Sequence, residues 1–400
     1  MTAKRVIVAG AGASGMIAAV TAARNGAAVT LIEQNDRVGK KICATGNGKC
    51  NLTNEKMGEA YYHCREKSFV ASVLRQFSEQ DTLAFFRSAG LCFVNRNGYL
   101  YPRSEQAQSV VNILQEELRR NKVKIKTKEK IVRIKPPVEE SDPWKVFTEG
   151  WSYDADALIL ANGSCASAIA GADGSGYELT KQLGHRVIRP LPALVPLKCR
   201  GIRFSAWAGV RVAGCVRLLI DGRLTEEAKG ELQLTEYGVS GIPVFQISAQ
   251  ASRALSEGKR TQIALDFMPE MSRTELESFL SDRRKQFPEW TSAQLLEGIF
   301  PDKLIKVLVG QKNLEETIKN LILSVTGTGS FEKAQICCGG VDVAQVRDSM
   351  ESKIHRNLFF CGELLDVDGI CGGYNLQWAW STGAIAGKAA AKSMRERGDI

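Results

Sequence analysis

The chain is predicted to be an α/β protein built on a Rossmann-like dinucleotide-binding domain that an insertion splits in two. Three observations predict this. A β-branched run, Arg5 to Ala9, breaks into Gly10-x-Gly12-x-x-Gly15, and a helical stretch follows from Ser14 to Asn25. A second strand, Ala28 to Ile32, delivers Glu33 roughly twenty residues beyond the last glycine, the setting that the dinucleotide fingerprint requires. Near the other end, a strand from Asn357 to Cys361 runs into Gly362-Glu363, a glycine-rich connection and a helix from about Asn375 to Arg395. The two chain ends therefore read as halves of one nucleotide domain.

Each part of the fingerprint has a physical task. Gly10 permits the tight turn, Gly12 lets the backbone approach a pyrophosphate with no Cβ in the way, and Gly15 lets helix and strand pack closely. The helix start at Ala13-Ser14 offers unpaired N–H groups and partial positive charge to phosphates. Glu33, with Gln34 beside it, can accept both ribose hydroxyls. A polar, glycine-bearing loop follows, first Arg37-Val38-Gly39-Lys40-Lys41 and then Thr45-Gly46-Asn47-Gly48-Lys49-Cys50-Asn51.

Helical periodicity then covers Phe69 to Phe77 and Asp81 to Ala89. Cys92 to Tyr101 alternates around Asn97-Gly98, a hairpin signal. Ser104 reads as the N-cap of a helix from Glu105 to Arg120. Short strands crowd together at Val123 to Thr127, Lys130 to Ile134 and Lys145 to Thr148. A buried parallel strand, Ala157 to Ala161, ends in Asn162-Gly163. From about Arg189 the composition shifts. Pro190, Pro192 and Pro196 punctuate a strand-rich stretch to about Ile247, with Asp221-Gly222 as a hairpin turn. Helical character runs from Ser272 to Leu323, broken at Pro288 and Pro301, and strand-like residues resume at Ala334 to Cys337. No internal repeat is visible.

Bulk composition narrows the function classes. The chain has 400 residues, 44% hydrophobic and 24% charged, the balance of a globular protein with a sizeable core. The first strand begins almost at Met1, which leaves no room for a signal peptide, so a cytoplasmic location is expected. The uncharged stretch Gly369 to Gly387 is nineteen residues long. Its glycines, Asn375, Gln377, Ser381 and Thr382 make it a buried helix rather than a membrane span. Eleven cysteines without a secretion signal imply reduced thiols. With no CxxC pair and three scattered histidines, His63, His185 and His355, no metal site is expected. The net charge of +9 attracts anionic cofactors, and its dispersal along the chain argues against nucleic acid as a partner.

The closing segment selects flavin over nicotinamide. A strand ending in Gly362-Glu363 and followed by a small-residue helix brings a second end of the chain to the ribitol of FAD. Glu363 can hold a ribitol hydroxyl or act through water on the pyrophosphate. The helix N-terminus near Asn375 can face the flavin O2/N1 edge, where negative charge develops on reduction. Gly372-Gly373 lets the backbone approach the ring.

Three segments carry a family resemblance: Gly39-Lys-Lys-Ile-Cys-Ala-Thr-Gly-Asn-Gly-Lys-Cys-Asn-Leu-Thr-Asn54, Gly230-Glu-Leu-Gln-Leu-Thr-Glu-Tyr-Gly-Val-Ser-Gly241, and Cys338-Gly-Gly-Val-Asp342 joined to the closing motif. Through them the whole chain resembles the BaiN/aminoacetone-oxidase type of FAD-dependent oxidoreductase. The resemblance implies a split FAD-binding domain (1–189 and 326–400), an inserted β-rich domain (190–270) and a small helical domain (271–325). It places Ser14, Glu33, Lys40, Lys41, Asn51, Val132, Glu363, Asn375 and Leu376 around FAD, with Val132 meeting the adenine through its backbone. Gly10, Gly12, Ala13, Gly15, Gln34, Arg37, Thr45, Gly46, Ala161, Asn162, Gly163, Gly362, Asp366, Gly373 and Tyr374 complete the expected cofactor shell. Asn162 stands where the family usually has threonine, and Cys43 replaces an aliphatic residue.

The family suggests two chemistries. One is NAD(P)H-driven reduction of an activated double bond in a small or medium organic substrate, with the nicotinamide binding transiently. The other is O2-dependent oxidation of an aminoacetone-type amine. A nucleic-acid-linked flavoprotein is a third reading and a flavin-binding regulator a fourth. Tyr374 and Cys371 are the candidate proton donors. Six residues intervene between Cys43 and Cys50, more than in the pairs of disulfide reductases, so no redox disulfide is expected there. Gly171-Ala-Asp-Gly174-Ser-Gly176 has the wrong order for a second fingerprint. Trp207, Tyr237 and Phe245 are core residues by default and are also the candidates to line a substrate pocket where the inserted domain faces the flavin. Oligomeric state is not encoded in any motif.

Overall fold

The computed structural model describes residues 3–139, 141–169 and 171–392. Two compact units emerge: Met1–Pro190 with Ile336–Ile400, and Leu191–Gln335. The chain leaves the first unit within the strand Val187–Ala193 and re-enters it at Ile336–Val341.

In the first unit a five-stranded parallel sheet runs in the order Leu358–Phe360, Ala157–Leu160, Arg5–Ala9, Ala28–Ile32, Lys124–Lys126. The apolar runs Val6-Ile7-Val8 and Leu158-Ile159-Leu160 are buried throughout, as parallel strands covered on both faces must be. The chain builds outward from Arg5–Ala9 on one side, then returns to add Ala157–Leu160 on the other. The strand order therefore reverses between these two neighbours, and in such sheets ligands bind beyond the strand ends at that point.

The helix Ala13–Arg24 leaves the first strand, and the closing helix Tyr374–Ala391 packs directly on it. Glycines make that approach possible. A Cβ at Gly383 would lie 2.4 Å from the Ser14 carbonyl oxygen, and one at Gly387 would lie 2.3 Å from that of Ala18. The uncharged stretch Gly369 to Gly387 is thus mostly a core helix. Among the described residues no helix is long and apolar enough to cross a membrane. The expected end of this helix at Arg395 lies outside the described residues.

Most local readings hold with small shifts. The hairpin forms as Phe93–Arg96 with Tyr99–Pro102 around Asn97-Gly98, both with positive φ, as a tight two-residue turn requires. Ser104 is a correction. The helix starts at Ala107 with Gln106 as N-cap, and Ser104 Oγ accepts the Gln106 N–H at 3.3 Å and pairs with Ser109 Oγ at 2.8 Å, capping no N–H of the first turn. Glu105 adopts a φ of 51°, a left-handed residue that separates the serine from the helix.

In the second unit six strands close a barrel: Leu197–Arg200, Gly238–Ser240, Arg223–Thr235, Arg211–Ile220, Thr261–Asp266 and Leu321–Thr328. Asp221-Gly222 makes the long hairpin turn, again with both φ values positive. The strand-rich stretch read as reaching Ile247 actually ends at Ser240, and Ile242–Ser256 is a helix. Pro243 in its first turn and Gly241 before it (φ 102°) are the start signals that its β-branched opening masked. The helices Arg273–Gln286, Asp302–Val309 and Leu314–Asn320 cover the barrel core, and Leu321–Leu323 already belong to its last strand. Trp207 is fully buried there, its indole N–H donating to the Thr235 carbonyl at 3.2 Å. Trp207 thus takes the core placement that is its default.

Candidate functional site

Two loops meet at the sheet's switch point. A Cβ on Gly10 (φ 97°) would sit 2.5 Å from the Ala161 carbonyl oxygen, and one on Gly15 would sit 1.8 Å from the Gly10 oxygen. Gly10 is enforced by backbone on the facing loop, and Gly15 by the backbone of its own turn. Gly12 differs: an added Cβ there meets nothing within 4 Å, so this position faces open room at the N-terminus of the helix Ala13–Arg24.

Glu33, buried at the end of the second strand, is oriented by its own surroundings. Its Oε2 accepts the Ala11 N–H at 2.8 Å, and Oε1 accepts the Asn35 N–H and Nδ2 at 2.8 and 2.7 Å. The fingerprint loop and the acid are therefore tied together before any ligand arrives. Gln34 turns aside to donate to the Gly171 carbonyl at 2.6 Å, Lys40 pairs with Asp36 at 2.6 Å, and Arg37 is exposed.

The closing segment joins this crevice through Glu363. Lys41 Nζ donates to its Oε2 at 2.5 Å, while Ser164 Oγ and the Cys337 N–H donate to Oε1 at 2.6 and 3.0 Å. Gly362 has no space for a side chain, since a Cβ would lie 2.3 Å from Ser14 Oγ. Asp366 accepts the Gly339 N–H at 3.0 Å. The loop then turns on Gly372 and Gly373 (φ 131° and 92°) into the helix that begins at Tyr374, and a Cβ on Gly373 would meet the Thr53 backbone and Asn51 Oδ1. Asn375 closes the loop on itself, accepting the Gly369 N–H at 2.8 Å and donating to its carbonyl at 2.7 Å. Leu376 packs against the core. Thr45 and Gly46 curl back on the Cys50-Asn51 backbone.

Tyr374 stacks on Tyr61 with ring centroids 4.8 Å apart. Burial pushes its phenol, and the Cys371 thiol, up to about 12. Burial likewise pushes Cys50 up to about 12, and Cys43 donates to Gln108 instead at 3.3 Å. Val132 lies on the small antiparallel sheet at a break in its register, where its side chain is 46% exposed. Several site residues carried no sequence signal: Ser164, Cys165, Cys337, and the chain Thr53–Gln377–Ser381–Phe77 of buried hydrogen bonds. So did His63, whose Nδ1 lies 2.7 Å from the buried Asp368 carboxylate and so ties Tyr62–His63 to Asp368–Gly369. Among the described residues no cluster of His, Cys, Asp or Glu is placed to hold a metal.

These residues fit FAD. Asn51 Oδ1 and Asn162 Oδ1 are buried acceptors without a protein partner, which a native structure reserves for something else to satisfy. The open room at Gly12 lies beside donors suited to phosphate. Every residue of the expected shell belongs to the first compact unit.

Comparison with known proteins agrees. The family model for the HI0933-like protein Rossmann domain matches residues 4–389. The chain is 43% identical over 408 residues to the 3-dehydro-bile acid delta(4,6)-reductase of Clostridium scindens, covering 97% of this chain and 99% of the reductase. It is 27% identical over 397 residues to the ribosomal RNA dihydrouridine synthase of Haemophilus influenzae, covering 94% and 96%. Among solved structures, a 3-ketosteroid-delta4-(5alpha)-dehydrogenase from Rhodococcus jostii RHA1 superposes with a TM-score of 0.51 at 15% identity, over 98% and 97% of the two chains, a likeness of fold. From its first strand to its closing helix, the chain belongs to the HI0933-like family of Rossmann-domain proteins.

Proposed function

We propose that this chain, an FAD-dependent oxidoreductase, reduces an activated carbon–carbon double bond in a ring substrate of the 3-dehydro-bile-acid kind, with NAD(P)H as a transient electron donor. The observation that carries this reading is the end-to-end likeness, at 43% identity, to a delta(4,6)-reductase of such acids. The dihydrouridine synthase supports the same reaction class, since dihydrouridine differs from uridine by two hydrogens across a ring double bond conjugated to a carbonyl.

The chain's own residues supply binding and proton delivery. Backbone N–H groups at Gly12-Ala13 and the helix start bind phosphate oxygens, Glu33 the ribose, Asn51 and Asn162 otherwise unmet donors, and Glu363 with Lys41 the ribitol or pyrophosphate. FAD, when bound, supplies the hydride chemistry. Tyr374 and Cys371, both held protonated by burial, act as proton donors and not as bases over the physiological pH range. Tyr374 is the better placed, because its stack on Tyr61 fixes the ring.

The test is anaerobic. The holoprotein is mixed with NADH or NADPH while the flavin absorbance is followed, and a 3-keto-4,6-diene steroid acid is then added. Bleaching by one nicotinamide followed by recolouring with the steroid is expected. A flavin that no nicotinamide bleaches, or that recolours only with O2 or only with uridine-containing RNA, sinks this reading in favour of an oxidase or a nucleic-acid-linked enzyme.

A further inference from the structure

The sequence directed attention to Cys43 and Cys50, yet the structure brings a different pair together. None of the eleven cysteines is in a disulfide, and Cys165 and Cys337 face one another with Sγ atoms 3.6 Å apart although 172 positions separate them in the chain. They flank a single carboxylate oxygen. Ser164, the neighbour of Cys165, donates to Glu363 Oε1, and the backbone N–H of Cys337 donates to that same atom.

The two thiols differ in setting. Cys337 lies in the strand Ile336–Val341 and is 2% exposed, whereas Cys165 is half-buried in the irregular segment that follows Ala157–Leu160. A disulfide bond is about 2.05 Å long, so the sulfurs must approach by roughly 1.5 Å. The irregular segment can supply that shift while the strand stays in place.

We propose that Cys165 and Cys337 are a modification site, forming a reversible disulfide by exchange with a low-molecular-weight disulfide, and that this bond fastens the Glu363 cradle and slows cofactor release. The second half of this proposal rests on the reading of Glu363 as a cofactor residue. The exchange proceeds in two displacements. The Cys165 thiolate attacks one sulfur of the incoming disulfide and expels one thiolate, leaving a mixed disulfide on Cys165. Cys337 then gives up its proton, attacks Cys165 Sγ and expels the second thiolate. Two protein thiols are oxidised and one external disulfide is reduced to two thiols, with protons balanced through solvent.

The order of attack follows from the geometry. Either sulfur could carry the shared proton across the 3.6 Å contact, but the deeper burial of Cys337 keeps it there, which holds Cys165 down at about 7 against its own burial while Cys337 is pushed far up. The accessible sulfur is thus the nucleophile and the buried one resolves the intermediate.

The experiment uses the FAD-loaded protein incubated with oxidised glutathione, then alkylated and mapped as peptides without reduction. A crosslink between the Cys165 and Cys337 peptides, reversed by dithiothreitol, is expected. FAD release on dilution, followed by flavin fluorescence, should be severalfold slower in the crosslinked form. Cys165→Ser should abolish both effects, and Cys92→Ser should leave both intact. Separate alkylation of Cys165 and Cys337 after full equilibration overturns the site. A crosslink that leaves FAD release unchanged overturns its role. A protein that never takes up FAD refutes the cofactor reading instead, and the peptide map alone then decides the disulfide.

Discussion

At the scale of single residues, the candidate site is set by carboxylates whose hydrogen bonds are already made. Glu33 is held by Ala11 and Asn35, so replacing it with alanine would orphan loop donors as well as remove a ribose contact. Glu33→Gln keeps the shape and removes the charge. FAD affinity should fall by about 1.5 kcal/mol, roughly tenfold, the low end for a charged hydrogen bond. Fluorescence titration of the apoprotein reads this, and an unchanged Kd would show that Glu33 does not meet the cofactor. Cys165 makes a second prediction at this scale. Because its acidity is set near 7 by the Cys337 thiol and only the thiolate reacts, its alkylation rate should rise through neutral pH and level off near 8. Cys50 and Cys371, pushed up to about 12 by burial, should stay inert over the same range. A Cys165 rate still climbing above pH 9 would remove the hydrogen bond as the cause.

At the scale of elements, the closing helix and the first helix are one device. Gly383 lies against the Ser14 backbone, so Gly383→Ala must push the two helices apart. Overpacking of this sort costs about 1–3 kcal/mol, and because the first helix carries the phosphate donors, FAD binding should weaken along with urea stability. Full retention of both would mean that the helices separate without strain. His185 follows Ser175–Gln182 and is buried against Phe360 and His355, with Nε2 bonded to Ser352 at 2.7 Å. Burial, then the nearby His355, lowers it from 6.5 to about 4. In this pH window the unfolded chain binds the proton and the folded one does not. Stability is therefore full above pH 6.5 and falls as the pH drops toward 4, by about 3 kcal/mol in all. Denaturation midpoints from pH 7 to 4.5 should show this fall, and His185→Asn should flatten it. Equal slopes in the two proteins would place the acid sensitivity elsewhere.

At the scale of the whole molecule, two separate cores are built from different stretches of chain. Trp144, Trp378 and Trp380 belong to one and Trp207 to the other. All the expected cofactor residues lie with the first, contributed by both chain ends. A ligand that binds only the folded form adds about 2.7 kcal/mol at a hundredfold excess over its Kd. FAD should accordingly slow hydrogen exchange in Arg5–Ala9, Ala28–Ile32, Ala157–Leu160 and Tyr374–Ala391, and leave the barrel strands Arg211–Ile220 and Arg223–Thr235 at their apo rates. Equal protection of the barrel would move the site out of the first unit.

What was legible beforehand is what short-range sterics dictate. Gly10-x-Gly12-x-x-Gly15, the acid at the end of the second strand, Asn97-Gly98, Asp221-Gly222 and the closing Gly-Glu motif each need only their neighbours to make sense. A turn with positive φ, a helix start or an alternating strand leaves its mark within a few residues. The start of Ile242–Ser256 reads as strand in the sequence because β-branched residues at a helix start look like strand, and only packing on the barrel settles their state. Ser164, Cys337 and Lys41 gave no sign that they share one carboxylate, nor Cys165 and Cys337 that they touch. Those contacts join segments far apart along the chain, so they exist only once the sheet has brought Ala157–Leu160 beside Leu358–Phe360 and the closing helix has covered the first. The sequence by itself determined a dinucleotide fold, both its ends and the cofactor class. Tertiary structure alone decided which polar groups meet in the crevice, because burial and distance between remote segments are properties of the packed chain and leave no local pattern.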